Sequence, residues 1–260
     1  MSTNLTKKPF LDYNSQIQTL KSKELLIEDE VSAIDILNKT GYYALINGYK
    51  DCFKNSNTHL FINHTTFNDI YNLYLFDAAL RAIFLKYILI VERHIKSSIS
   101  YHFTSTYGDV PLWVLFTELT FGEISTMYRF LKGHCKTLVC NDFNNIGRAE
   151  LGKMLIILTK FRNICAHGNR LFNTRLQDAI LDCTAHHKLH IPKINSLYIC
   201  GKSDLFAAVI ALKYLLDTSD FRAFYYELKK IIKIYRPSDN TLKSMGFPTS
   251  WMSILRIKVY

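Results

Sequence analysis

An arginine, an asparagine and a histidine fall within residues 160–173 (KFRNICAHGNRLFN), where a strongly apolar helical run, residues 151–161 (LGKMLIILTKF), ends abruptly in polar side chains. Each residue type has a chemical use. An imidazole near neutral pH can take or give a proton, and a guanidinium offers a planar, permanently charged fork for phosphate. A carboxamide can orient either by hydrogen bonding. RNA supplies its own nucleophile in the 2′-OH, so a protein that aligns this group, moves protons and stabilises charge on the non-bridging oxygens needs little more. The candidate groups are Arg162, Asn163 and His167.

Asn163 and His167 are i,i+4 neighbours on one helix face, whereas Arg162 and His167 are i,i+5 and lie about 140° apart around the axis. Convergence on one atom therefore requires the reach of the arginine, distortion of the last turn before Gly168, or pairing with the same segment of a second chain. Gly168 is a natural left-handed residue to end the helix. The spacing alone is cheap. A shuffled chain of this composition gives roughly 0.35 matches to Arg, four residues and His, and the sequence holds a second one, Arg129 to His134 (RFLKGH), read as coincidence. The bland reading of the first is a helix end whose Arg and His satisfy backbone carbonyls.

Other groupings carry less. Cys183, His186, His187 and His190 include zinc-ligand types but no paired C-x-x-C, and are read as solvated polar residues; His134, Cys135 and Cys140 are a similar scatter. Cys165 reads as a small core residue. Most of the 16 Tyr and 17 Phe sit at helical spacing among aliphatic residues, with Tyr42, Tyr43 and Tyr49 as candidates for base stacking. Lys229, Lys230, Lys233 and Arg236 complement a helix dipole or track a phosphate backbone with equal plausibility. No phosphate-cradling Gly-rich loop occurs, which argues against a nucleotide-driven motor or kinase.

The elements that must position these groups are helical. Ten Gly and five Pro in 260 residues are too few for a barrel or sandwich of short strands, and 48% hydrophobic content excludes disorder. Apolar residues recur at helical spacing from Phe67 to about Thr106 (Ile70, Leu73, Tyr74, Leu80, Ile83, Phe84, Tyr87, Ile88, Val91, Ile95, Ile99), with Asp77 an exception to the pattern. That is long enough for an internal kink. Further helices are predicted near 121–132, 149–167, 203–217 (with Ser203 as N-cap) and 219–235, and loop with short helix over 168–202. Short strands toward the C-terminus fit the pattern as well. Upstream, Ile17, Leu20, Leu25 and Leu26, then Val31, Ile34, Ile36 and Leu37, read as two short amphipathic helices. An Asn-rich stretch, residues 55–68, separates them from the main body. The expected organisation is an N-terminal helical region over 1–60, a helical core over 61–236 and a tail over 237–260.

Lys and Arg exceed Asp and Glu to give a net charge of +10, which suits a polyanionic partner. The N-terminus lacks an apolar leader and the six Cys are widely spaced, so reduced thiols in a cytoplasm are expected. The most apolar window, residues 82–91, carries Lys86 and falls short of the roughly 20 residues that span a bilayer, so no membrane association is expected.

The segment RNICAHGNRLFN resembles the RN-x-C-A-H-x-x-R-x-x-N signature of the Abi-like abortive infection proteins (D and F branch), a group within the HEPN superfamily. The stretches PFLDYNSQIQTLKSKELLIEDE, LNKTGYYALINGYKDCF and SMGFPTSW, the last like that family's terminal GFP-x-x-W, agree in order and spacing over nearly the whole chain. The resemblance implies an all-α HEPN-type bundle with a short helical N-terminal extension, and a cytoplasmic, metal-independent endoribonuclease without cofactor, acting in phage defence or as a toxin with a neutralising partner. Arg162 and His167 match the HEPN catalytic pair and Asn163 its variable polar position. One motif per chain implies a homodimer with a composite site. The family's E-x-x-x-R-like stretch departs here to VERHIKSSIS, leaving open whether Lys96 replaces that Arg. Arg93, Lys96, Lys160, Arg170 and Asn173 are the further candidates for RNA contact. The rival readings are a non-catalytic protein holding a structured small noncoding RNA, and an interaction module in which Arg162 and His167 only cap a helix.

Overall fold

The computed structural model describes residues 10–55, 57–108, 112–144 and 146–258. It is mainly α-helical, with a single two-stranded hairpin among the described residues. The chain forms two compact units, Met1–Phe76 and Asp77–Tyr260.

In the first unit, α1 (Tyr13–Lys21) and α2 (Glu30–Thr40) each open on an aspartate, Asp12 or Asp29, whose carboxylate accepts a main-chain N–H of the first turn. They bury Ile17 and Leu20, then Ala33 and Leu37. Val31, expected on the apolar face, is 80% exposed. A π-helical turn (Tyr43–Asn47) and a 3-10 turn (Lys50–Phe53) follow. Tyr49 is core here, edge-on to Tyr74, so of the proposed stacking tyrosines it is withdrawn from solvent while Tyr43 is exposed.

Helix α3 (Phe67–Tyr107) runs 41 residues without a break. Its start is fixed by a reciprocal pair: Thr66 N–H donates to the Asp69 carboxylate and Asp69 N–H to the Thr66 hydroxyl. No Gly or Pro interrupts the helix, and its buried row (Leu80, Phe84, Tyr87, Ile88, Val91, Ile95, Ile99) is continuous, so it is not broken as a pattern of this length allows.

The second unit adds α4 (Leu112–Glu118), α5 (Phe121–Phe130), α6 (Gly133–Asp142) and α7 (Arg148–Ala166), then α8 (Thr184–Lys188), the hairpin β1 (Lys193–Ile194) and β2 (Leu197–Tyr198), α9 (Leu205–Leu215), α10 (Thr218–Tyr235) and α11 (Asp239–Ser244). The hairpin pairs Lys193 with Tyr198 and Ile194 with Leu197. Helices α5, α6 and α9 pack on α7. Every residue of α9 but Lys213 is buried, as its uniformly apolar sequence requires. The N-cap of α9 is Asp204 rather than Ser203, its carboxylate accepting from Ala207 N–H. Arg129 lies in the last turn of α5 and His134 in the first turn of α6, so the second Arg-to-His match is split between helices. Tyr128 ties three helices together, its hydroxyl meeting Cys140 Sγ at 3.3 Å and donating to the Arg148 carbonyl at 2.9 Å.

Candidate functional site

Helix α7 stays regular to its end. His167 N–H donates to the Asn163 carbonyl at 3.0 Å, Gly168 N–H to Cys165 at 3.2 Å and Asn169 N–H to Ile164 at 3.1 Å. The last two bonds form a Schellman cap around Gly168, whose φ of +67° is the left-handed conformation glycine adopts without strain. The last turn is therefore not distorted, and main-chain donors already take the closing carbonyls. The imidazole of His167 is exposed and makes no hydrogen bond or ion pair with other described residues.

Two buried carboxylates of α3 hold this helix end. Asp77 accepts from Leu171 N–H at 3.2 and 3.1 Å and from Phe172 N–H at 2.7 Å, and pairs with Arg81 one turn along at 2.5 Å. Arg81 reaches on to the Asn169 carbonyl at 3.5 Å. The turn after His167 is thereby pinned to α3. Glu92 lies four turns further along. One of its oxygens is 3.2 Å from Lys96 Nζ and the other 3.5 Å from Arg162 Nε.

Lys96 also donates to the Leu119 carbonyl at 2.7 Å, fixing it against the end of α4. Within VERHIKSSIS, Lys96 stands one helical turn after Glu92 and pairs with it. Arg162 leans its Nη1 toward Asn163 Oδ1 at 3.5 Å, while Nε and the facing Glu92 oxygen are buried without a hydrogen bond of normal length. The guanidinium is thus held by charge rather than by a tight bond, leaving most of its fork available.

The structure brings Arg162, Asn163, Glu92 and Lys96 together. Arg93 is exposed next to them, lining with Leu89, Lys96, Tyr101 and Phe116 a groove of about 810 Å³ along α3 and α4. Lys160 faces elsewhere and pairs with Asp178. Arg170 is exposed in the turn pinned by Asp77, and Asn173 is half-buried beyond it. Cys165 is buried, and desolvation, with Asp77 adding to it, pushes its thiol up to about 12, which suits a core residue and not a nucleophile.

Sequence reasoning overlooked Asp77, Arg81 and the role of Glu92. A signal for Asp77 existed: it is an acid at a core position of an apolar helical pattern, and a fully buried carboxylate must find donors. His186 is a correction. Instead of being solvated it is buried, its Nδ1 accepting from Cys183 N–H at 3.2 Å, its Nε2 2.8 Å from the Gly201 carbonyl, and its ring stacked on Tyr198. His187 and His190 are exposed, and among the described residues no three His, Cys, Asp or Glu side chains gather as metal ligands.

A protein-family model described as Abi-like protein matches residues 35–109 and 101–173, together more than half of the chain. The chain belongs to the Abi-like protein family. No curated protein and no solved structure matches it. In this Abi-like protein the matched stretch contains Asp77, Glu92, Lys96, Arg162, Asn163 and His167 and ends at Asn173. Helices α9, α10 and α11 lie beyond it. No helix of the described residues is long and apolar enough to cross a membrane.

Proposed function

We propose that this Abi-like protein is a HEPN-type endoribonuclease that cuts RNA without a metal in abortive-infection defence against phage. The observation that carries the reading is an uncommitted imidazole at a rigidly closed helix end, on the same helix as an arginine turned to a buried glutamate. A His and Arg that merely capped the helix would bond its terminal carbonyls. Here those carbonyls are closed by main-chain N–H groups, and Arg162 turns to Glu92. The defence role draws its support from the family.

In the proposed reaction the ribose 2′-OH attacks the adjacent phosphorus, the O2′–P bond forms and the P–O5′ bond breaks, giving a 2′,3′-cyclic phosphate and a 5′-OH. The attacking hydroxyl loses a proton and the leaving oxygen gains one. His167 has the chemistry for either transfer, and Arg162 balances charge on the non-bridging oxygens. With 140° or so between His167 and Arg162 on one helix, the arginine of one chain is proposed to serve the phosphate at the histidine of the other.

The test is incubation of purified protein with structured and single-stranded RNA in chelator, wild type beside His167→Ala and Arg162→Ala, with fragment ends and binding recorded. Cleavage with cyclic phosphate ends that drops by about 10²–10⁴-fold in His167→Ala, while binding persists, is the expected result. Tight binding with equal, negligible cleavage in all three would replace the nuclease with a protein that holds a small RNA. Absence of both would leave the interaction module.

A further inference from the structure

Helix α10 turns Phe221, Phe224, Tyr225 and Leu228 inward, with Phe224 edge-on to Phe84 and Tyr87 of α3 at 5.3 Å each. Its outward residues Arg222, Tyr226, Lys229, Lys230 and Lys233 are all exposed and follow the i, i+4, i+7, i+8, i+11 spacing of a single face. That face is about 16 Å long at the α-helical rise. Arg236, exposed in the left-handed cap at φ +46°, extends it.

Among the described residues none of these five cations forms an ion pair or a side-chain hydrogen bond. Glu227, the acid nearest them in sequence, is engaged by Lys86 at 2.6 Å and Tyr87 at 2.9 Å on the side toward α3; those bonds and the charge of Lys230 hold its carboxyl below the usual range despite partial burial.

A face kept for solubility mixes both signs. The helix dipole accounts for Lys233 and Arg236, but its influence fades within the last turn and does not reach Arg222, Lys229 or Lys230. Insertion of a helix into the lipid interface needs a free apolar side, and a purely electrostatic hold on anionic headgroups is the alternative that the vesicle arm of the test addresses. The apolar side of α10 is used up in the core, leaving only Tyr226 and Ile234 as large exposed apolar residues. What remains is a row of uncompensated cations with a tyrosine in its middle, set edge-on against Tyr225 at 5.4 Å. This is the chemistry of a phosphate-tracking surface with one stacking platform.

We infer that the outward face of α10 is a second RNA-binding surface, which grips the phosphate backbone of the substrate away from the bond that is cut. The inference rests on the ribonuclease reading for the identity of the polyanion. Both places meet α3: α10 packs on Phe84 and Tyr87, between Asp77, which pins the turn after His167, and Glu92, which holds Arg162.

The test measures binding of a labelled RNA hairpin with single-stranded flanks across a salt series, in the His167→Ala background so that the ligand stays intact. Replacing Arg222, Lys229, Lys230 and Lys233 together by Ala should flatten the slope of log affinity against log salt by about 3, the sum expected for four lost phosphate contacts. Replacing the three lysines by Arg should restore the slope, and the melting temperature should not move in either variant. Unchanged affinity and slope in the alanine variant would overturn the inference while leaving the nuclease reading intact. With His167 restored, a loss of cleavage by the fourfold alanine variant in proportion to its loss of binding would support it. Equal loss of binding to phosphatidylserine vesicles, with RNA binding unaffected, would overturn it in favour of a membrane.

Discussion

Glu92 is the residue on which the candidate centre turns, because a single carboxylate of α3 faces cations from two directions. Its side chain is 9% exposed, against 21% for Lys96 and 28% for Arg162. Removing one partner of a fully buried pair costs about 3–5 kcal/mol, and partial exposure of both cations reduces this to about 2 kcal/mol for Glu92→Ala. For a chain of this size that lowers the melting temperature by about 5 °C. If Glu92 also orients Arg162 on phosphate, kcat falls by more than about tenfold while KM for RNA moves little, since Arg162 then acts chiefly on the transition-state charge. Glu92→Gln keeps the volume but removes the charge that holds Lys96 and Arg162, so kcat is expected to fall as in Glu92→Ala and only the part of the stability loss due to the cavity is recovered. Equal kcat in wild type and both variants would reduce Glu92 to a packing residue.

At the scale of elements, the C-terminal segment is fastened to the start of α9, where Phe206 N–H donates to the Met245 carbonyl at 3.1 Å and Gly246 packs against the Asp204 carboxylate. Asp204 accepts from Gly201 and Ala207 N–H and pairs with Arg175, and burial raises its pKa despite these partners. Gly246, at φ +82°, lies so close that an added Cβ would sit 2.1–2.4 Å from the Asp204 carboxyl atoms. Phe247 and Trp251 pack beside it, edge-on at 5.4 Å. Gly246→Ala combines left-handed strain with overpacking and is expected to cost about 3 kcal/mol, a fall of about 8 °C in melting temperature, without loss of Arg162 or His167 chemistry in whatever fraction folds. The GFP-x-x-W motif is in this sense a fastening.

Helix α8 carries a proton-linked group. Burial, more than its contacts, lowers the pKa of His186 below the ordinary 6.5. Below that value the unfolded chain takes up a proton that the folded one refuses, so stability falls as pH drops from 6.5 toward the folded pKa. In His186→Gln thermal melts should lose that part of the slope; an identical pH profile would remove His186 as its source.

The elements were unevenly legible. α3 and α7 could be read because long apolar periods run free of Gly and Pro and end at Gly108 and Gly168. α6 was missed because its buried residues, Cys135, Val139 and Cys140, are small and few, and Gly133 at its start resembles a breaker. Arg162, Asn163 and His167 stand in one short segment and were visible. Asp77 and Leu171, 94 positions apart, meet only through packing of α3 against the turn after α7, which no local spacing encodes.

For the whole molecule, the regular end of α7 bears on how many chains make one site. Of the three routes by which Arg162 and His167 could meet one phosphate, distortion of the helix is not the one taken, and the arginine's length is partly spent in reaching Glu92. The proposed pairing of two chains remains, and it has a consequence that an isolated chain lacks. If the arginine of one chain serves the histidine of the other, equimolar mixing of Arg162→Ala and His167→Ala proteins creates mixed pairs that hold one complete site beside one doubly damaged site. Part of the wild-type cleavage then returns although each variant alone is inactive. Mixing should first be done with partial unfolding and refolding so that chains exchange. A net charge of +10 on each chain also makes pairing weaker at low salt, so specific activity should drop on dilution more steeply there, against the trend of RNA binding itself. No complementation, with specific activity independent of concentration at every salt, would place Arg162 and His167 of one chain on the same phosphate and require the turn at Gly168 to move when RNA binds.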